Sequence, residues 1–193
     1  MIDADGSKHW ITRAANFFKA EGLRRNQWRV AKGGLFAATL DAVARMPELL
    51  GTGLRVGAPA VTDGGYSWIT DFVNQADAAG HRIDFVPIHY YRSYANNDNP
   101  AGAASSMYNF LKSIHDATGR PVWVTEFNNG ANWTTDADPN VDQNKNVVEA
   151  MINMMDATPW IERYAVYNWV EEVRFVQRKD GTLTPAGEVY ACV

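Results

Sequence analysis

One glutamate in the sequence stands where a predicted strand ends, a position that suits catalysis better than packing. Glu126 lies near the end of Pro121-Val122-Trp123-Val124-Thr125-Glu126-Phe127, whose composition is typical of a strand buried on both faces. Asn128-Asn129-Gly130 then ends the strand. An unpaired buried charge is costly, whereas the carboxyl ends of barrel strands carry catalytic side chains. We therefore interpret Glu126 as a catalytic carboxylate, with a glutamate simply exposed at the strand end as the alternative.

Polar and aromatic residues also stand at the ends of three other predicted strands, which cover residues 54–61, 83–91 and 161–169. These residues are Asp63 after the first, His89, Tyr90 and Tyr91 on the second, Asn168 and Trp169 on the last, and Glu171 and Glu172 just beyond it. In a parallel barrel such ends share one mouth. A carboxylate can attack an anomeric carbon, a phenol or an imidazole can hold it, and an indole can stack on a sugar. The set therefore favours carbohydrate chemistry, although a core role for His89 or Trp169 is the alternative.

Helices are predicted between these strands. They cover residues 10–20, 35–50, 68–79, 103–118, 141–157 and 186–191, with a hairpin near residues 179–181. Four strand–helix alternations predict a parallel sheet with covering helices. A complete (β/α)8 TIM barrel takes roughly 250 residues, whereas this chain has 193 and shows no convincing strand in its first fifty. We therefore predict an α/β fold, a partial (β/α)8 barrel of about four C-terminal βα units after a helical N-terminal segment. A doubly wound sheet is the rival.

The length and composition of the chain limit the other classes of protein to which it can belong. A chain of 193 residues, 46% hydrophobic and 21% charged, indicates one globular domain, in which residues 1–34 form an atypical N-terminal segment and residues 35–193 the core. The net charge of -4, without a basic cluster, argues against nucleic-acid binding. No apolar run is long enough to span a membrane. The sequence has no Gly-rich phosphate loop after its first strand and no zinc-type histidine pair, so we predict no cofactor and no metal.

The sequence contains three weaker signals. The segment Asp136-Ala137-Asp138-Pro139-Asn140-Val141-Asp142 alternates oxygen ligands as a calcium loop does, but valine stands where glycine is expected, which favours a solvated loop. The lone Cys192 cannot form an intrachain disulfide. The first six residues are acidic and carry no apolar signal core, so no export signal is visible and the compartment stays open.

Three segments, in this order, resemble the catalytic core of glycoside hydrolase family 128. They are Val56-Gly57-Ala58-Pro59-Ala60, Ile83-Asp84-Phe85-Val86-Pro87-Ile88-His89-Tyr90-Tyr91 and Pro121-Val122-Trp123-Val124-Thr125-Glu126-Phe127. The family consists of β-1,3-glucanases, and the resemblance covers roughly residues 40–190. It implies that Glu126 is the nucleophile at the end of barrel strand seven. It also implies that His89 and Tyr91 on strand six and Trp169 on strand eight line a groove for β-glucan, and it suggests an extracellular location.

One motif of the family is absent from the sequence. A retaining glycosidase needs a second carboxyl group, roughly 5 to 5.5 Å from the nucleophile. The family carries it in an Asn-Glu-Pro motif just ahead of the helix that begins here near Leu35, but no such motif occurs and no Asp or Glu lies between Glu21 and Asp41. The substitutes at the same mouth are Asp63, Glu171 and Glu172.

The sequence therefore leaves two functional hypotheses and one on assembly. The first is a retaining endo-β-1,3-glucanase with Glu126 as nucleophile and its acid unassigned. The second is a non-catalytic or vestigial glucan-binding protein, a truncated product. A half barrel would also leave two exposed sheet edges, which are prone to pairing, so a homodimer through these edges is the hypothesis on assembly.

Overall fold

The computed structural model describes residues 35–92, 97–131, 133–134 and 137–192, with side chains from Thr39 onwards. The predicted helix over residues 10–20, and the whole of the segment 1–34, lie outside the described residues. The elements are α1 (Leu35–Leu50), α2 (Tyr66–Ala78), β1 (Val86–Tyr90), α3 (Pro100–Thr118), β2 (Val122–Phe127), α4 (Val141–Asp156), β3 (Ile161–Val166), a 3₁₀ turn (Glu172–Arg174) and α5 (Pro185–Ala191).

The three strands form one parallel sheet in the order β1-β2-β3. Helices lie between consecutive strands along the chain, so the predicted mixed α/β architecture with a parallel sheet is confirmed. The predicted hairpin is confirmed as well, because Gln177 and Leu183 form an antiparallel bridge. Within the described residues, no helix combines the length and the apolar character needed to cross a bilayer.

The segment 54–61 is not the regular strand that the sequence predicts. It runs beside β1 but makes only two isolated parallel bridges, from Gly57 to Phe85 and from Val61 to Ile88. The reason is visible in the sequence, because Pro59 has no backbone N–H to donate to a ladder. The segment still reaches the mouth of the sheet, since the His89 backbone N–H donates to the Val61 carbonyl over 2.8 Å.

Strand β2 is buried on one face only, which corrects the prediction of burial on both. Val122, Val124 and Phe127 are fully buried in the core that α3 and α4 share with the sheet. Trp123 and the pair Thr125 and Glu126 are half-buried on the opposite face. A strand inside a complete layered sheet would be covered on both faces, whereas among the described residues the helices cover one.

A layer of aromatic and charged side chains occupies that second face near the amino ends of the strands. The rings of Phe85 and Trp123 stack with their centroids 3.7 Å apart. Glu162 accepts hydrogen bonds from the Trp123 indole and the Arg55 guanidinium, each over 2.8 Å. This end of the sheet is therefore held by packing and paired charge, and the carboxyl end carries a different set of residues.

The position at which β2 begins is fixed by the conformation of Gly119 and the hydrogen bonds of Arg120. Helix α3 ends at Gly119, whose φ of 63° is left-handed, a conformation that glycine adopts without strain. Arg120 then donates to the carbonyls of Thr118 over 2.7 Å and Ile83 over 3.2 Å. These bonds tie the start of β2 to the segment before β1, so the two strands enter the sheet side by side.

Candidate active site

The register between β1 and β2 brings predicted site residues together. Ile88 pairs with Val124, but the next residue, His89, pairs with Glu126, so the ladder skips Thr125. The skipped residue is a β-bulge, a feature that re-aims side chains at strand ends. The burial pattern breaks its alternation at the same point, and Glu126 consequently lies on the open face beside His89.

Glu126 is held through one of its two oxygens. The Tyr91 hydroxyl donates to Glu126 Oε2 over 2.5 Å. His89 Nδ1 lies 3.3 Å from the same oxygen, and the Glu126 side chain remains 33% exposed. Among the described residues, none forms a hydrogen bond with Oε1. The cluster thus fixes the carboxylate and leaves one oxygen open to a ligand.

The surroundings shift the pKa values of the two partners of Glu126 in opposite directions. Burial raises the pKa of the Tyr91 phenol, and its hydrogen bond to Glu126 raises it further, so the phenol stays protonated and remains a donor. Burial lowers the pKa of His89 below its ordinary value, against the opposing effect of the Glu126 charge. Near neutral pH the imidazole is therefore uncharged and contacts the carboxylate without neutralising it.

The lowered pKa of His89 makes stability fall on acidification. Above the ordinary value of 6.5, histidine is neutral in the folded and unfolded chain and contributes no pH dependence. Below it, the unfolded chain binds the proton more readily, so the free energy of unfolding decreases. We expect His89→Gln to flatten this decrease, measured as the melting temperature across a series from neutral to mildly acidic pH. An equally steep decrease in wild type and variant would contradict the assignment.

Aromatic rings surround Tyr91. The Trp133 ring meets it edge-on at a centroid distance of 5.1 Å, and the Tyr167 ring does so at 5.8 Å. Trp133 is 59% exposed and Trp169 is 79% exposed, so both indoles can meet a ligand. Trp133 and Tyr167 were not among the site residues predicted from the sequence. Trp133 lies in an aperiodic loop, whereas Tyr167 directly precedes the predicted Asn168 and could have been found by its place at the strand end.

The family of the chain follows from a match to a sequence profile. The profile of the glycosyl hydrolase catalytic core matches residues 39–190. The chain belongs to the glycosyl hydrolase catalytic core family. No curated protein matches it.

Solved structures confirm the resemblance of this glycosyl hydrolase core to family 128. An endo-β-1,3-glucanase of subgroup I from Amycolatopsis mediterranei, in a mutant form, has a TM-score of 0.69 and 27% identity over 80% of this chain and 64% of its own. The same enzyme in complex with laminarihexaose gives a TM-score of 0.70 and 26% identity over 80% and 65%. A subgroup II endo-β-1,3-glucanase from Sorangium cellulosum shares the fold, with a TM-score of 0.64 and 22% identity over 79% and 61%. The chain spans less than two thirds of the length of each.

Four other predicted site residues of the glycosyl hydrolase core bind partners other than Glu126. Asn168 Oδ1 accepts from the backbone N–H groups of Val176 over 2.7 Å and Gln177 over 3.1 Å. Its Nδ2 donates to the Gln177 carbonyl over 2.8 Å, so the whole amide holds the segment that follows the 3₁₀ turn. The three remaining residues are carboxylates with cationic partners: Asp63 pairs with Arg92, Glu171 with Arg174 and Glu172 with Lys179. Their roles in binding or proton transfer stay predictions.

A buried polar network ties the loops of the glycosyl hydrolase core at the carboxyl ends of β2 and β3. Asn128 is fully buried, and its Nδ2 donates to the carbonyls of Tyr167 over 2.9 Å and Arg174 over 3.0 Å. Arg174 is itself 1% exposed. Arg174 was not among the predicted site residues, although a charged residue within the apolar run Val173-Arg174-Phe175-Val176 is the signal that could have found it.

In the part of the chain that the structure describes, no group of three or more His, Cys, Asp or Glu residues could hold a metal ion. In the segment that alternates oxygen ligands as a calcium loop does, Asp136 lies outside the described residues and Asp138 pairs with Arg174 over 2.9 Å. Asn140 instead caps α4, where it forms a capping box with Gln143.

Proposed function

We propose that this glycosyl hydrolase core cleaves β-1,3-glucan by a retaining mechanism in which Glu126 is the nucleophile. The observation that carries the proposal is the cluster in which Tyr91 and His89 hold Glu126 Oε2 and leave Oε1 open. A carboxylate held in this way can be aligned with an anomeric carbon. The laminarihexaose complex of the Amycolatopsis enzyme supports β-1,3-glucan as the substrate class.

In this mechanism Glu126 Oε1 attacks the anomeric carbon while a second carboxyl group, for which Asp63, Glu171 and Glu172 are the candidates in this sequence, protonates the departing glycosidic oxygen. A glycosyl ester on Glu126 forms, and water then hydrolyses it with retention of configuration. Tyr91 and His89 orient the attacking carboxylate throughout, and the raised pKa of Tyr91 keeps its proton on the phenol. The exposed rings of Trp133 and Trp169 offer faces on which glucosyl units stack.

Replacing Tyr91 by phenylalanine should slow the chemical step without preventing substrate binding. The variant loses a hydrogen bond to a charged group, and such a bond contributes about 1.5–3 kcal/mol. We expect kcat on laminarin to fall about ten- to a hundredfold with little change in KM. Tyr108→Phe, on α3 and packed near Trp160, is the matched control. An unchanged kcat in Tyr91→Phe would remove the phenol from the mechanism.

The proposal as a whole is tested by incubating the purified chain with laminarin and counting reducing ends. The anomeric configuration of the first product is read by NMR before mutarotation. We expect turnover with β-configured product. An α-configured first product would exclude the retaining mechanism, and failure to turn over laminarin during long incubation at high protein concentration would exclude the enzyme.

Glucan binding without hydrolysis is the second candidate function. It is favoured by one observation: the sequence has no Asn-Glu-Pro motif and no Asp or Glu between Glu21 and Asp41, where the resemblance to family 128 places the acid. Laminarihexaose that binds and stays intact would support this function. Hydrolysis with retention would eliminate it.

We also propose that the described elements form part of a (β/α)8 barrel within a single domain. The parallel order β1-β2-β3 and the helix after each of the first two strands support this architecture. Within the described residues, β3 pairs with β2 alone, so its outer edge is available to a strand of a second copy. Light scattering that shows a monodisperse monomer would exclude such a homodimer.

A further inference from the structure

Arg174 lies where the loops that follow β2 and β3 meet. Its Nε donates to the Asn129 carbonyl over 2.6 Å. Its Nη1 donates to Asp138 over 2.9 Å and to Glu171 over 2.8 Å. Because Asn129 and Asp138 belong to the loop after β2 and Glu171 to the loop after β3, one buried guanidinium joins both loops.

The loop after β2 links the proposed nucleophile to an exposed ring. Residues 128–131 and 133–134 follow Phe127, the residue after Glu126, and the Trp133 ring contacts Tyr91. Gly130 has a φ of 72°, and a Cβ built on it would lie 3.4 Å from Arg174 Nη2. The guanidinium therefore packs against the backbone of this loop as well as bonding to it. Thr134 closes the turn by donating to the Ala131 carbonyl over 2.7 Å.

We propose that Arg174 is a positioning residue for glucan binding, acting through Trp133. It fixes the loop after β2 so that the Trp133 ring is held against Tyr91, at the mouth that contains Glu126. This inference rests on the proposed function, because it assigns the glucan as the ligand of the ring.

The geometry requires arginine rather than a general cation. Nε and Nη1 point in two directions of one rigid plane, toward a backbone carbonyl and toward two carboxylates. A lysine ammonium is a single point charge and cannot reproduce this fork. A buried ion pair is weak evidence for stability, since apolar residues of similar volume often serve the fold as well. A role in holding the loop after β2 explains why a charged residue is buried at position 174, which a contribution to stability alone does not explain.

The test is a double-mutant cycle on laminarihexaose binding, measured by titration calorimetry in the Glu126→Gln background so that the ligand stays intact. We expect Arg174→Lys and Trp133→Ala each to weaken binding about tenfold. If Arg174 acts through Trp133, adding Arg174→Lys to Trp133→Ala should cost little more. A purely structural role would instead give additive losses.

Arg120→Lys is the matched control, because Arg120 also donates to backbone carbonyls and pairs with Asp77, but at the opposite end of the sheet. We expect this variant to lower the melting temperature and to bind laminarihexaose as the parent does. If Arg174→Lys does not fold, Asp138→Asn leaves Glu171 paired with the guanidinium and should weaken binding in the same direction, about two- to threefold.

The outcomes distinguish a failure of the proposed function from a failure of the role inferred for Arg174. A parent chain that does not bind laminarihexaose would overturn the proposed function and this inference with it. Binding by the parent that is unchanged in folded Arg174→Lys would overturn the inference alone, as would additive losses in the cycle. Non-additive losses, with the control unaffected, would support it.

Discussion

Glu126→Gln should reduce laminarin hydrolysis by at least about a thousandfold in kcat while the chain stays folded. The amide has nearly the shape of the carboxylate and still accepts the hydrogen bond from Tyr91 through its oxygen. It cannot attack an anomeric carbon, so the glycosyl ester does not form. Binding of laminarihexaose should be preserved, which separates loss of chemistry from loss of the site.

The control is Glu162→Gln, the same change on the neighbouring strand. Glu162 binds Arg55 and the Trp123 indole at the amino end of the sheet, so we expect this variant to lose stability and to keep its rate. An aryl β-glucoside with a good leaving group refines the test, because its cleavage does not need a general acid. If Glu126→Gln hydrolysed both laminarin and the aryl substrate as fast as the wild type does, Glu126 would not be the nucleophile.

Asn128→Asp should destabilise the fold by about 3 kcal/mol near neutral pH. The change is nearly isosteric, but it replaces a donating Nδ2 by an oxygen that faces the carbonyls of Tyr167 and Arg174. Both carbonyls lose their donor, and the new carboxylate is buried without a cation in hydrogen-bonding contact. The free energy of unfolding is measured by urea denaturation.

The pH dependence of this loss identifies its cause. Burial favours the neutral form of the new carboxyl, so its pKa should rise in the folded state, and stability should recover as the pH falls and the protonated group donates one bond again. Asn153→Asp, at an exposed position of α4, is the control and should cost little at any pH. A loss that does not change with pH, or one equal to that of the control, would argue against the network.

Local signals in the sequence predicted most elements of the fold. Gly119 ends α3, and Asn128-Asn129-Gly130 ends β2, because turn-forming residues act over a few positions. The proximity of His89, Tyr91 and Glu126 was also predictable, since the carboxyl ends of parallel strands share one edge. The regular strand over residues 54–61 was wrong, although Pro59 already argued against it.

Features that depend on distant partners were not predictable. Nothing local marks Thr125 as the residue that the ladder skips, because a bulge is defined by pairing with β1. Arg174 depends on Asn129 and Asp138, which lie 45 and 36 residues away along the chain. Asn168 was predicted as a site residue because its type and its place at a strand end suit a sugar ligand. Its hydrogen-bond partners are instead the backbone groups of residues 176 and 177, which the sequence alone does not reveal.

The layer of Arg55, Phe85, Trp123 and Glu162 lies at one end of the sheet and the Glu126 cluster at the other. In evolutionary terms, selection for folding can act on Trp123 and selection for the site on Glu126, although both residues lie on β2. Substitutions within the Glu126 cluster leave the contacts of the layer unchanged. A lineage with this arrangement can exchange catalysis for recognition, or recover it, without passing through an unfolded ancestor.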